Sequence, residues 1–257
     1  MNTPRRTMAV LLAAGKGKRM GREDLPKVLI EAAGRPLIDW VLDACAEAGC
    51  EQTVVVIGHQ GDRVREALSG RQNIRFVEQA EQLGTGHAVA QAREALGPLE
   101  DLDLLVLCGD GPLIQGRTLK QLLEHHRASG AAATLATARL EDPSTYGRIV
   151  RDEAGRFQRI VEEKDATESQ RKIREVNPSY YAFEAEAMFR ALDRVHNRNA
   201  SGEYYLTDVF ALMLAEGRKV EPVDTVPADE VQSINTPEHL AVVDQILRRR
   251  RGAEVGP

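Results

Sequence analysis

The stretch LLAAGKGKRM, Leu11–Met20, decides the fold. Small and apolar residues run into Gly15 and Gly17, and Lys16, Lys18 and Arg19 crowd into four positions. A short apolar run that ends in glycine reads as a buried strand delivering its carboxyl end into a turn. The turn is not a Walker A loop. That motif needs a Ser or Thr after Gly17-Lys18 and a glycine at position 12, and the chain has Arg19 and Leu12. A dinucleotide fingerprint needs a third glycine where Met20 stands, and Pro26 interrupts the long helix that should follow. What remains is a loop whose glycines let the backbone approach phosphate oxygens, with Arg19 and the later Lys27 supplying positive charge. A plain tight turn with solvated cations fits the same ten residues, so the rest of the chain has to choose.

Outward from this stretch, apolar runs short enough for buried strands recur at Met8–Ala13, Thr53–Gly58, Ile74–Glu78, Leu102–Asp110 and Ala133–Ala138. Helical patterns at Pro36–Gly49 and Arg117–Gly130 separate them. The alternation predicts an α/β chain: a Rossmann-like, doubly wound, mostly parallel sheet covered by helices on both faces. Ligands in such sheets sit beyond the carboxyl ends of the strands. The glycine turn after Ala14 and the pair Gly109-Asp110 both occupy such ends, so folding should bring them together. Past Ala138 the texture changes. Tyr146–Glu163 reads as a β-hairpin turning at Asp152–Gly155, a strand-like SYYAF follows, and a last helix starts near Thr236 with Leu240, Val243, Ile246 and Leu247 on one face. The run Arg248–Arg251 suits a solvated helix end.

Composition narrows the function. A net charge of −5 offers no basic face for nucleic acid, so the cations near the N-terminus act locally, on a small anion. No apolar run nears the roughly 18 residues that cross a membrane, and no export signal precedes the first strand. Cys45, Cys50 and Cys108 are odd in number and lack metal spacing, which fits a reducing cytoplasm. His59, His125, His126, His196 and His239 show no ligand spacing and read as surface or packing residues, and His87 reads as structural.

LAAGKGKRM with LPKVL, QAEQLGTGHA, GDGPLI, YGRIV with IVEEKDAT, VNPSYYAF and EYYLTD stand in an order that resembles the sugar-1-phosphate nucleotidyltransferases. The likeness runs from about Met8 to Leu240 and is strongest to the uridyltransferase portion of the bifunctional bacterial enzymes that make UDP-N-acetylglucosamine. It implies one nucleotidyltransferase domain over residues 1–257: a catalytic body over about 8–235 on the nucleotide-diphospho-sugar transferase fold, with the hairpin as a sugar-binding insertion, then a C-terminal helix and tail over 236–257. It further implies that Leu12, Ala13, Ala14 and Gly15, with Gly109, line the nucleotide, and that Gln79, Gly84 and Thr85 read the uracil edge. Gly147, Glu162 and Asn177 would hold the sugar, Asp110 and Asn235 a Mg²⁺ ion, and Arg19 and Lys27 the phosphates. The implied reaction moves UMP from UTP onto N-acetylglucosamine 1-phosphate, releasing pyrophosphate. Another sugar 1-phosphate or nucleotide, and a non-catalytic nucleotide-sugar sensor, are the alternatives.

The chain departs from the family at Cys108, where a Tyr is usual, at Asn177-Pro178-Ser179 in place of Asn-Thr-Gly, and at Ser233 in place of Gly. Cys108 beside the metal site suggests sensitivity to alkylation. Of Glu162 and Glu163 on a strand-like segment, one should face the sugar and the other solvent, Arg148 or Lys164. The sequence stops without the hexapeptide-repeat β-helix of the bifunctional relatives, so the expectation is uridyl transfer alone, by a monomer or dimer rather than a β-helix trimer.

Overall fold

A computed structural model describes residues 5–15, 25–143, 145–232, 234 and 236–254. In chain order the strands are β1 (Arg6–Ala13), β2 (Glu31–Ala32), β3 (Arg35–Pro36), β4 (Gln52–Ile57), β5 (Ile74–Glu78), β6 (Leu102–Cys108), β7 (Ala133–Arg139), β8 (Gly147–Arg151), β9 (Phe157–Val161), β10 (Glu175–Asn177), β11 (Tyr181–Glu184) and β12 (Val220–Asp224). The helices are α1 (Leu37–Glu47), α2 (Gly61–Ala67), α3 (Thr85–Gln91), α4 (Arg93–Leu96), α5 (Gly116–Ser129), α6 (Glu168–Arg171), α7 (Ala185–Leu192), α8 (Asp208–Ala215), α9 (Ala228–Val231) and α10 (Pro237–Glu254).

Ten strands form one sheet in the order β5-β4-β1-β6-β11-β7-β10-β8-β9, with β12 paired to β7. The first half is parallel throughout, as the alternation of runs and helices predicts. The second half is mixed: β11 runs antiparallel between β6 and β7, and β10, β8 and β9 continue antiparallel. Unbroken parallel order therefore ends at β6, where β11 inserts antiparallel between β6 and β7, and parallel pairing returns only where β12 meets β7. The expected hairpin is β8–β9, closed at Asp152–Gly155 by a turn in which Gly155 takes φ +77°.

Period-two alternation divides the core. Met8 and Val10 of β1 enter a cluster with Val106, Phe183 and Phe210, while Ala9, Leu11 and Ala13 enter another with Val41, Leu105 and Leu107 on the opposite face. A third, smaller cluster joins Ile30, Leu37, Leu113 and Ile234 to Val243 and Leu247, so α10 packs on the body by the face its spacing predicts. The arginine run is exposed at Arg248, Arg249 and Arg251, as expected, and it also makes contacts. Arg250 donates to Leu113 O at 2.7 Å and Arg251 to Ala33 O at 3.2 Å, fastening the helix to two loops, and Arg248 pairs with Asp244 one turn back.

At the amino ends of the central strands Asp103 is buried, 1% exposed, and accepts from Arg5 Nε at 2.6 Å and Arg127 Nε at 2.7 Å. Buried His126 shares a hydrogen bond with Thr134 Oγ1 at 2.9 Å, and burial holds its pKa down at about 4, so it is neutral at pH 7. Among the described residues no helix is long and apolar enough to cross a membrane.

Candidate active site

Register aligns the carboxyl ends of four strands. Leu12 faces Cys108 across β1–β6, Ala13 faces Ile57 across β1–β4, and Ile57 faces Glu78 across β4–β5. Ala14, Gly58, Gln79 and Gly109-Asp110 therefore leave the sheet at one edge. Gly109 donates to Leu12 O at 2.9 Å, and a Cβ there would lie 3.2 Å from both that oxygen and Val28, so the glycine lets the β6 exit close against β1. Gly58, which the sequence reading passed over, does the same on the other side: a Cβ would sit 2.9 Å from Ala14 Cβ and Ala14 O. Among the described residues, Gly15 meets no such neighbour.

The Asp110 carboxylate is ion-paired with Lys27 Nζ, both side chains partly buried. Lys27 opens a short 3₁₀ turn whose next two residues, Val28 and Leu29, are buried, which anchors the cation beside the strand ends. Arg19 and Asn235 lie outside the described residues, as do Lys16 and Lys18. Ile234, one residue before Asn235, is packed in the same buried cluster as Leu113, three residues beyond Asp110. Buried Glu230 fastens these two segments: its carboxylate accepts from Gln115 Nε2 at 2.6 Å and Gln115 N at 3.2 Å, and Tyr180 donates to Glu230 O at 3.1 Å. For a hard divalent cation the donor chemistry fits, because Asp110 supplies an oxygen ligand at the cleft edge and an Asn side chain would supply a second.

The sugar-side residues also converge. A Cβ on Gly147 would lie 3.5 Å from both Glu162 Oε2 and Asn177 Cβ. Glu162 borders a cleft of about 560 Å³ lined also by Leu12, Thr85, Cys108, Ser179 and Tyr181 among others. Thr207 Oγ1 donates to Glu162 Oε1 at 3.0 Å. Burial pushes the Glu162 carboxyl above its usual range, and that hydrogen bond offsets part of the shift. The strand ends at Val161 and residues 163–165 form a 3₁₀ turn, so Glu163 also reaches the cleft lining, where it pairs with Arg171 at 3.2 Å and acts on the charge of Arg148. Asn177 supports the cleft wall: its amide donates to Tyr181 Oη at 2.7 Å and its Oδ1 accepts from Ser179 N at 3.1 Å. Ser179, where the family has glycine, sits at φ +66°, so the backbone keeps a conformation that favours glycine with a serine in place.

The motifs QLGTGHA and EYYLTD interlock. Tyr204 N donates to Leu83 O at 2.8 Å, Gly86 N to Tyr204 O at 2.7 Å, and Leu206 N to Thr85 Oγ1 at 3.0 Å. A Cβ on Gly84 would meet Tyr204 O at 2.6 Å. Thr85 therefore spends its hydroxyl oxygen on this junction as well as lining the cleft. Gln79, 3% exposed, donates through Nε2 to Gly84 O at 3.0 Å and shares a 3.0 Å hydrogen bond with His87 Nδ1. Tyr205 and Thr207 of EYYLTD both line the cleft. Cys108 is partly exposed and lines the cleft, and burial, then the charge of Asp110, push its thiol up to about 12.

Residues 9–199 match the model of the MobA-like NTP transferase domain. The chain is 48% identical over 242 residues to the bifunctional protein GlmU of Pelobacter propionicus, covering 94% of this chain and 52% of that protein. To the protein of the same name from Heliobacterium modesticaldum it is 49% identical, with the same coverage. The one from Desulfotalea psychrophila is 44% identical, covering 96% of this chain and 72% of the relative. The chain thus spans about half the length of most of these curated relatives. A UDP-glucose pyrophosphorylase solved with UDP-glucose superposes with a TM-score of 0.74 at 19% identity, over 95% of this chain and 99% of that one, which establishes the shared fold. With the family model spanning most of its length and these relatives alongside, this chain belongs to the MobA-like NTP transferase domain family.

Proposed function

We propose that this chain is a nucleotidyltransferase that moves UMP from UTP onto a sugar 1-phosphate, N-acetylglucosamine 1-phosphate by preference, and releases pyrophosphate. One observation carries the reading. A cation paired to a carboxylate, Lys27 with Asp110, stands at the strand ends beside a cleft walled by Glu162, Tyr181 and Thr207, large enough for a hexosamine. The relatives named GlmU support uridyl transfer as the chemistry.

Both reactants are anionic, so bringing the sugar phosphate oxygen to the α-phosphorus is mainly a matter of offsetting repulsion and aligning groups. Lys27, with Arg19 from the glycine loop, neutralises phosphate charge. Leu12, Ala13, Ala14, Gly15 and Gly109 bring bare backbone against the nucleotide, and Gln79, Gly84 and Thr85 contact the base. Gly147, Glu162 and Asn177 border the sugar. The attacking oxygen is already ionised, so no side chain has to remove a proton. Bound by Asp110 and Asn235, Mg²⁺ would polarise the α-phosphate and lower the barrier to attack. Lys27 then leaves the Asp110 carboxylate for phosphate, which keeps the pocket's charge balanced.

The test is a panel of sugar 1-phosphates against UTP, CTP, GTP and dTTP with and without Mg²⁺, following pyrophosphate release. Activity confined to UTP and N-acetylglucosamine 1-phosphate supports the reading. Preference for glucose 1-phosphate would assign the altered cleft residues, Cys108 and Ser179, a different sugar, and metal-independent turnover would remove Asp110 and Asn235 from their proposed role.

A further inference from the structure

We propose that His87 is a positioning residue for base selection: it fixes the Gln79 amide so that only the carbonyl oxygen is left to offer a nucleotide base, which admits uracil and rejects cytosine. The proposal rests on the uridine reading above and names the residue that enforces it.

Gln79 leaves β5 with its own N–H bound to Ile57 O at 2.7 Å, so the root of the side chain is fixed. Its Nε2 lies 3.0 Å from Gly84 O. A carbonyl oxygen can only accept, so the nitrogen of the amide must be the atom at that place. The second N–H of the same nitrogen faces His87 Nδ1 at 3.0 Å, and with a donor opposite it Nδ1 must be the accepting nitrogen. The ring proton then resides on Nε2; the Gln91 amide stands 3.3 Å away but keeps its own Nε2 donated to His87 O at 3.2 Å, so it is the shorter Gln79 contact that sets the tautomer. Both hydrogens of Gln79 Nε2 are thereby spent, and no described residue donates to its Oε1.

An acceptor held in place discriminates by what the base carries opposite it. Uracil and thymine carry an imide N–H that donates to Oε1. Cytosine carries a lone pair at that ring position, so two acceptors would face each other in a desolvated site. Without His87 the amide is held by Gly84 O alone and can turn its nitrogen toward a cytosine. His87 thus acts through Gln79 and touches no reacting atom. It sits on the first turn of α3, directly after the Gly84 junction with Tyr204, so its distance from Gln79 is set by backbone.

The experiment is calorimetric binding of UTP, dTTP and CTP, paired with kcat and KM for UTP and CTP, on the wild type, His87→Phe and His87→Asn. Wild type should bind UTP about a hundredfold more tightly than CTP. His87→Phe, which removes the acceptor, should shrink that ratio about tenfold, mostly through tighter CTP binding, and circular dichroism reports whether it folds. His87→Asn, whose Oδ1 replaces Nδ1, should restore most of the ratio. If His87→Phe weakens UTP and CTP equally, or His87→Asn behaves as Phe does, the role of His87 is overturned while the uridine reading stands. If the wild type binds CTP as tightly as UTP, the uridine reading fails and the inference with it.

Discussion

Replacing Gly84 by alanine tests the interlock of the two loop motifs. Gly84 sits at φ 115°, ψ 175°, a region essentially closed to residues with a Cβ, where occupancy costs about 1–3 kcal/mol. The added methyl would also lie 2.6 Å from Tyr204 O, 2.8 Å from Tyr204 N and 2.9 Å from Glu203 Cβ. Two of these are backbone atoms engaged in hydrogen bonds to Gly86 N and Leu83 O, so the opposing chain cannot retreat without breaking them, at about 1 kcal/mol each. Strain and overlap together give a loss of about 4 kcal/mol. Gly130→Ala is the matched control. Its φ of +62° is also left-handed, but nothing lies within 4 Å, so strain alone operates, at about 1 kcal/mol. Urea unfolding of the three proteins at 25 °C, with UTP binding measured on each, reads the difference. Gly84→Ala should shift the midpoint far more than Gly130→Ala and lose nucleotide binding. Equal midpoints for the two variants would show that the loops separate freely and that the reasoning is wrong.

Three further outcomes follow from the site. Lys27→Ala should lower turnover about a hundredfold, the equivalent of about 3 kcal/mol of transition-state stabilisation, and a near-normal rate of pyrophosphate release would take Lys27 out of the mechanism. Glu162→Gln should raise Tm at pH 7 by roughly 2–4 °C while weakening use of the sugar phosphate. The sign follows from burial: a carboxyl shifted upward in the folded state costs nothing while protonated and becomes destabilising as pH rises through and above its usual range, so removing the charge helps at neutral pH. A lower Tm would refute it. Cys108, with its thiol pushed up to about 12, has on the order of one thiolate in ten thousand at pH 8, so iodoacetamide should leave it unmodified in the folded protein and label it in urea; rapid labelling of the native chain, read by peptide mass spectrometry, would contradict that.

Much of the parallel half was legible because period and punctuation agree there. Met8–Ala13 is apolar throughout, Leu102–Cys108 is apolar but for Asp103, and the runs end at alanine or just before glycine, so strand, burial and functional end could all be read from the residues. The antiparallel half was less so. Strand β12 (VEPVD) has a proline and two acids, carries little hydrophobic signal, and exists because β7 offers it a parallel edge. The sugar-side grouping of Gly147, Glu162 and Asn177 came from family likeness, since nothing in their spacing brings together residues 15 and 30 positions apart. Two functions escaped the sequence for the same reason. The tie from His87 to Gln79 spans eight residues across a loop, and Glu230 reaches Gln115 across the whole second half. Neither has a periodicity to betray it. At Cys108 the position beside a charged pair suggests reactivity, while desolvation and the neighbouring carboxylate, which the sequence does not display, act against it.

The two ends of the central strands do different work. Asp103, Arg5, Arg127 and His126 close the amino ends with a polar knot around a buried carboxylate, and the carboxyl ends carry the Lys27–Asp110 pair. The five residues of β6 that separate Asp103 from Gly109 are nearly all sealed from water, so a stiff rod of backbone joins the two ends. Heat tolerance and reaction rate are consequently adjustable on opposite rims of the molecule: an engineer could reinforce the knot at Asp103 to harden the protein without disturbing which nucleotide it accepts or how fast it works.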